Sequence, residues 1–207
     1  LKTACIIVDR SHPTLAYAAQ ELRSFLDRTT NLHIADDHAH ADYSFTLAKD
    51  AGLPATCHAV RVAEAGGRTE VALTGHDEAC VLHAVYAMLE KCGIYFDILA
   101  PMLPERLDLS ALTAGQQVTT PFVRRRGIRQ HINFAMDISS YPLAEAREYI
   151  RNLARMRMNH ISFHSYSGQW FGYTQAGKYI HGGNFFYGTR FDLPDRQPFT
   201  RNVRNRS

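Results

Sequence analysis

A strand, a helix and a second strand follow one another between residues 124 and 171, and no other stretch restricts the fold as tightly. The segments run RRRGIRQHIN, then PLAEAREYIRNLARMRMN, then HISFHSYSGQWF. In the middle one, Leu143, Ala146, Ile150, Leu153 and Ala154 share a side, while Arg147, Glu148, Arg151 and Arg155 lie mostly on the other. That spacing predicts an amphipathic helix from Pro142 to Met158. Strand, helix, strand is how a (β/α) barrel begins, and such barrels bind ligand where polar and aromatic groups gather at strand ends. The residues from Phe122 onward fall far short of the roughly 250 that a whole barrel takes. The expectation is therefore the N-terminal piece of a larger barrel protein. Beyond Trp170 the composition turns to Gly, Asn, Tyr and Phe (GGNFFYGTRF), which suits a long loop.

The preceding residues predict a separate α/β layer. Thr3 to Asp9 is a short apolar run of strand type, and Ser11-His12-Pro13 opens a helix, Pro being tolerated in a first turn. The inward face of that helix is Leu15, Ala18, Ala19, Leu22, Phe25 and Leu26. Tyr43 to Leu47, Ala59 to Ala63 and Glu70 to Leu73 alternate as strands, the last two joined through Gly66-Gly67, a hairpin signal. A second helix runs from Asp77 to about Lys91, with Val81, Leu82, Val85, Met88 and Leu89 inward and Gly93 ending it. Ile94 to Ile98 is again extended. The fold class is thus α/β: a small sandwich in which two helices cover one face of a mainly antiparallel or mixed sheet, followed by the first β/α units of an incomplete TIM barrel. Pro101, Pro104 and the polar stretch from Thr113 to Pro121 read as a linker. The chain then divides into an accessory domain at 1–120 and a truncated barrel start at 121–207.

Composition narrows the partners. A formal net charge of +3, with basic residues mostly dispersed, lacks the stripe expected of a nucleic-acid face. No apolar run approaches the ~20 residues that span a bilayer, so no membrane partner is expected. Cys5, Cys57, Cys80 and Cys92 show no C-x-x-C spacing and read as buried free thiols, though spacing alone leaves a disulfide open. The chain starts at Leu1 without Met, which fits either a cleaved signal peptide or a trimmed sequence. A secreted or periplasmic location is the expectation that follows from the first.

Two blocks carry a resemblance. AAQELRSFLDRTT and EVALTGHDEACVLHAVYAMLEKCGIYFDI resemble the small α/β domain that precedes the barrel in family 20 β-hexosaminidases and family 67 α-glucuronidases. The matching positions are Ala18 to Leu22, Thr74-Gly75, and Leu89-Glu90-Lys91-Cys92-Gly93. Arg126-Gly127 is similar to the Arg-Gly that opens the first barrel strand of family 20 enzymes. Asn159 to His164 resembles their second strand, which ends Asn-x-x-x-x-His. After that His the family is rich in Asp, whereas this chain reads SYSGQW, pointing to a relative with the same layout rather than a hexosaminidase. The resemblance implies a carbohydrate partner and a secreted glycoside hydrolase.

Candidate sugar-binding residues follow. The resemblance implies that Arg126 contacts sugar hydroxyls, work for which an Arg fork is suited; the alternative is a carboxylate partner at the domain junction. His131 and Asn133 share one strand face, as do His164 and Tyr166. Trp170 offers a ring on which a sugar face can stack, or else plugs the core; Tyr173, Phe185, Phe186 and Tyr187 would extend an aromatic wall or pack under a loop. His38 and His40 with Asp36, Asp37 and Asp42 match no familiar zinc spacing, and neither a metal nor any other cofactor is expected. Glycoside hydrolysis needs placed carboxyl groups. Asp137, Asp192 and Asp195 stand in predicted loops or caps, so no catalytic residue is assigned and the acid pair is expected downstream. Two other readings stay open: a non-catalytic carbohydrate-binding or scaffold protein, and a metal enzyme using His131, His164 and His181. A barrel start standing alone would leave strand edges bare and would be expected to self-associate.

Overall fold

The structure, a computed structural model, describes residues 2–35, 40–131, 138, 141–164, 171–173 and 179–181. The chain divides into two compact units, one of Leu1–Arg124 with Ala154–Arg157, the other of Arg125–Leu153 with Met158–Ser207.

The first unit is a mixed sheet with helices on one face. Its strands are β1 (Thr3–Val8), β2 (His33–Ile34), β3 (Tyr43–Lys49), β4 (His58–Ala65), β5 (Arg68–Gly75) and β6 (Gly115–Thr119), and its helices are α1 (Pro13–Thr29) and α2 (Glu78–Lys91). The six strands lie in the order β2-β1-β3-β5-β4-β6. β1 pairs parallel with β2 and β3, and β3 with β5; β4 runs antiparallel to β5 and β6. Alternation places Phe45, Leu47, Val60, Val62, Val71 and Leu73 in one cluster with Leu22, Phe25, Leu26, Val85, Tyr86 and Leu89 of the helices. The opposite face carries small or polar side chains such as Ser44, Thr46, Ala59, Ala72 and Thr74. Gly66 and Gly67 turn the β4–β5 hairpin at φ 59 and 80, a left-handed pair that glycine adopts without cost.

Each end of α2 is built from its sequence. Asp77 accepts a hydrogen bond from the Cys80 N–H at 2.8 Å, capping the first turn. At the other end Gly93 takes φ 108, and the Gly93 and Ile94 N–H groups bond the carbonyls of Glu90 and Leu89. A Cβ on Gly75 would come within 2.4 Å of the backbone at Cys80 and Val81, so the close approach of β5 to α2 requires glycine there. The four cysteines are buried and none is in a disulfide, and burial pushes the Cys92 thiol up to about 12.

The structure changes one sequence reading here and adds detail to two others. The supposed linker contains β6, an edge strand whose exposed Gln-Gln-Val run shows no apolar alternation because an edge strand need not bury a face. The extended run at Ile94–Ile98 contributes only the bridge of Tyr95 with Met102. Glu21, on the buried side of α1, breaks the apolar pattern because it meets Arg155, whose Nε and Nη2 donate to its two oxygens at 2.9 and 3.1 Å. Tyr86 donates to the same carboxylate at 3.1 Å, and the guanidinium lies over the Phe25 ring.

In the second unit, β7 (Gly127–His131), α3 (Leu143–Arg155, of which Ala154 and Arg155 belong to the first unit) and β8 (His160–His164) follow in order, and β7 and β8 pair in parallel. This is one β-α-β unit; a closed barrel is not among the described residues. The helix ends at Arg155 rather than Met158. Arg157 sits at φ 60, and the Arg157 and Met158 N–H groups bond the carbonyls of Ala154 and Leu153. That stop takes a form usually filled by glycine, so the sequence conceals it. Within the stretch expected as one long loop, β9 (Phe171–Tyr173) pairs antiparallel with β10 (Tyr179–His181).

Candidate functional site

The register of β7 with β8 decides which side chains meet. Gly127 stands opposite His160, Arg129 opposite Ser162, and His131 opposite His164. Side chains alternate, so these six positions share one face, while Ile128, Gln130, Ile161 and Phe163 share the other. The second face is the helix side: the Gln130 Nε2 donates to the Tyr149 hydroxyl of α3 at 2.6 Å, and Ile128 and Ile161 are half-buried. The first face is left to polar groups.

The start of this ladder is held by backbone geometry. The Arg126 N–H donates to Asn159 Oδ1 at 2.9 Å, and the Arg126 carbonyl accepts from the N–H groups of Asn159 and His160 at 2.8 and 3.1 Å. A Cβ on Gly127 would fall 1.7 Å from the His160 carbonyl oxygen. The Arg-Gly and Asn positions singled out in the sequence therefore set strand register here.

At the other end, the His131 and His164 rings meet edge to face with centroids 4.9 Å apart. Arg129 Nη2 bonds His164 Nδ1. A guanidinium has donors only, so Nδ1 is the acceptor and the neutral ring carries its proton on Nε2. Partial desolvation, then the Arg129 charge, then His131 hold the His164 pKa below its ordinary value. Along β8, the His160 Nε2 and Ser162 hydroxyl lie 2.9 Å apart.

Of the residues expected at a site, the structure brings His131 and His164 together. Arg126 lies before the opposite end of β7, five residues from His131, or roughly 16 Å at the rise of a strand. Asn133, Tyr166, Trp170, Asp137 and the tail aspartates lie outside the described residues. Arg129 and Ser162 were missed, although alternation with His131 and His164 put them on the same face. Asp36, Asp37 and His38 also lie outside; Asp42 accepts from the Thr3 N–H at 2.6 Å and from the Thr3 hydroxyl, tying down the start of β1. No group of three or more His, Cys, Asp or Glu side chains that could hold a metal ion occurs among the described residues. No helix among them is long and apolar enough to cross a membrane.

No protein-family profile and no curated protein matches this sequence. Solved structures do. A family GH115 4-O-methyl-α-glucuronidase with specificity for decorated arabinogalactans superposes with TM-score 0.57 at 16% identity, over 79% of this chain and 25% of that one. A GH138 enzyme targeting pectin rhamnogalacturonan II superposes with TM-score 0.54 at 12% identity, over 78% and 18%. An N-acetyl-β-hexosaminidase from Streptomyces plicatus gives TM-score 0.49 at 16% identity, over 83% and 32%. The chain thus spans about a quarter or less of the length of the first two enzymes, and at these identities it shares their fold over that portion. The resemblance read from the sequence stands as structural similarity to a portion of glycoside hydrolases.

Proposed function

We propose that this chain supplies the accessory α/β domain and the first β/α unit of a glycoside hydrolase barrel, and that the helix-free face of β7 and β8 forms one wall of its sugar pocket. The observation that carries this reading is the parallel register that sets Arg129 and His131 beside Ser162 and His164 while α3 covers the other face. In a barrel that arrangement directs the polar face inward and its strand ends toward the ligand. Asn133, Tyr166 and Trp170 follow those strand ends in the chain and would extend the wall. Arg126 serves the wall only through its backbone, which holds the register of the two strands. The carboxylates that cleave the glycosidic bond would come from other strands.

The test is hydrolysis of plant-type oligosaccharides by the full-length protein and its His131→Ala and His164→Ala variants. A sugar wall predicts a KM raised by about tenfold or more with folding intact, the loss expected for one or two hydrogen bonds to substrate. Hydrolysis with unchanged KM in both variants would remove this face from the pocket. Binding without any hydrolysis would favour a carbohydrate-binding protein instead.

A further inference from the structure

We infer that β6 is a docking edge for a second copy of this chain. The two β6 strands pair antiparallel about a two-fold axis at Gln117, joining two six-stranded sheets into one. The pairing is independent of the sugar wall.

The sheet ends differently on its two sides. In the order β2-β1-β3-β5-β4-β6, one edge is β2, only two residues long and so a poor template. The other is β6, bonded to β4 along Gly115–Thr119 and paired with no other strand among the described residues. Its outward N–H and C=O groups form a template for a further strand. Edges that must stay single are usually blunted by a charge, a proline or a bulge. The run GQQVT has no charged residue and no proline, and its pairing with β4 is unbroken from Gly115 to Thr119. Every residue of it but Thr119 is exposed.

The strand suits a copy of itself. Residues opposite one another in an antiparallel pair point to the same face, so a two-fold axis normal to the sheet must pass through a residue. Only an axis at Gln117 uses the whole strand: Gly115 meets Thr119 of the second copy, Gln116 meets Val118, and Gln117 meets its own equivalent. With no charge in β6, no like charges face each other across that axis. The two Gln117 amides each hold a donor and an acceptor, so they can bond one another as equals. On the other face the exposed Val118 gains the aliphatic stem of Gln116 from the second copy, and symmetry forms that contact twice. Pro121, just past Thr119, limits the ladder because it has no N–H to give. Between β6 and α2, a cavity of about 390 Å³ lined by Gln117, Thr119, Val60 and Ala87 leaves the helix side of this edge uncovered.

The experiment is sedimentation velocity of the full-length protein over a concentration series, together with disulfide trapping across the edge. The wild type is expected to dimerise reversibly. Gln117→Cys, mildly oxidised, is expected to give a covalent dimer, because opposite Cα atoms stand about 4.5–5.5 Å apart, within disulfide reach. Gln116→Cys alone is expected to give none, since its two copies lie diagonally about 7–8 Å apart, yet it should cross-link when mixed with Val118→Cys. Gln117→Lys sets two like charges face to face and should weaken the dimer about fivefold, and mixing it with Gln117→Glu should restore it. A wild type that stays monomeric throughout, or a dimer that Gln117→Cys fails to trap, overturns the inference. So does a dimer that Gln117→Lys leaves at full strength.

Discussion

Arg155 sits at the end of a helix whose periodicity places it among exposed arginines, yet its side chain and that of Glu21 are each only 10% exposed. Two hydrogen bonds to Glu21 and the face of Phe25 lie against its guanidinium, so removing Arg155 leaves the buried Glu21 carboxylate without this cation. Arg155→Ala is expected to cost about 3–5 kcal/mol in denaturant unfolding, and a Glu21→Met/Arg155→Met double variant far less. A single-variant cost below about 1 kcal/mol, the level of a surface pair, would mean the pair is solvated.

Elements follow the sequence wherever their signal is local. The apolar stripes of α1 and α2, the Gly66-Gly67 turn and the Gly93 stop were legible because each rests on a nearby side chain or dihedral preference. Where tertiary context decides, the signal fades. β6 is an edge strand without an apolar face, Arg157 stops α3 in a conformation that composition assigns to glycine, and Leu143 is 60% exposed although it belongs to the helix's apolar set. The candidate site divides in the same way. Alternation gave the shared face of His131 and His164 only once the register was known, and Arg129 became visible through its bond to His164. Two glycines test the element packing. Gly75→Ala forces a Cβ against the first turn of α2, and Gly127→Ala forces one against β8. Each should cost about 1–3 kcal/mol or more, read as a lowered melting temperature. An unchanged melting temperature for either would show that the strand can move away freely. Asp77→Ala should cost about 1 kcal/mol through the lost cap, by the same measurement.

For the whole molecule, the question is what completes the polar face. Leu143, Ile150 and Phe163 of the second unit are 60%, 46% and 50% exposed, and the described residues pair β7 and β8 only with each other. Residues 1–207 expressed alone should self-associate as concentration rises in light scattering, because bare strand edges and apolar side chains recruit partners. A monodisperse monomer with protected amides across β7 and β8 would count against an incomplete barrel. The similar enzymes are four or more times longer than the portion this chain matches, which leaves room for the remaining strands and carboxylates in a protein of that layout. The most direct test is a crystal structure of the full-length protein with a bound oligosaccharide. The account predicts sugar oxygens within hydrogen-bonding distance of Arg129, His131 and His164, at the strand ends of β7 and β8. A sugar bound elsewhere, with that face packed beneath protein, would contradict it.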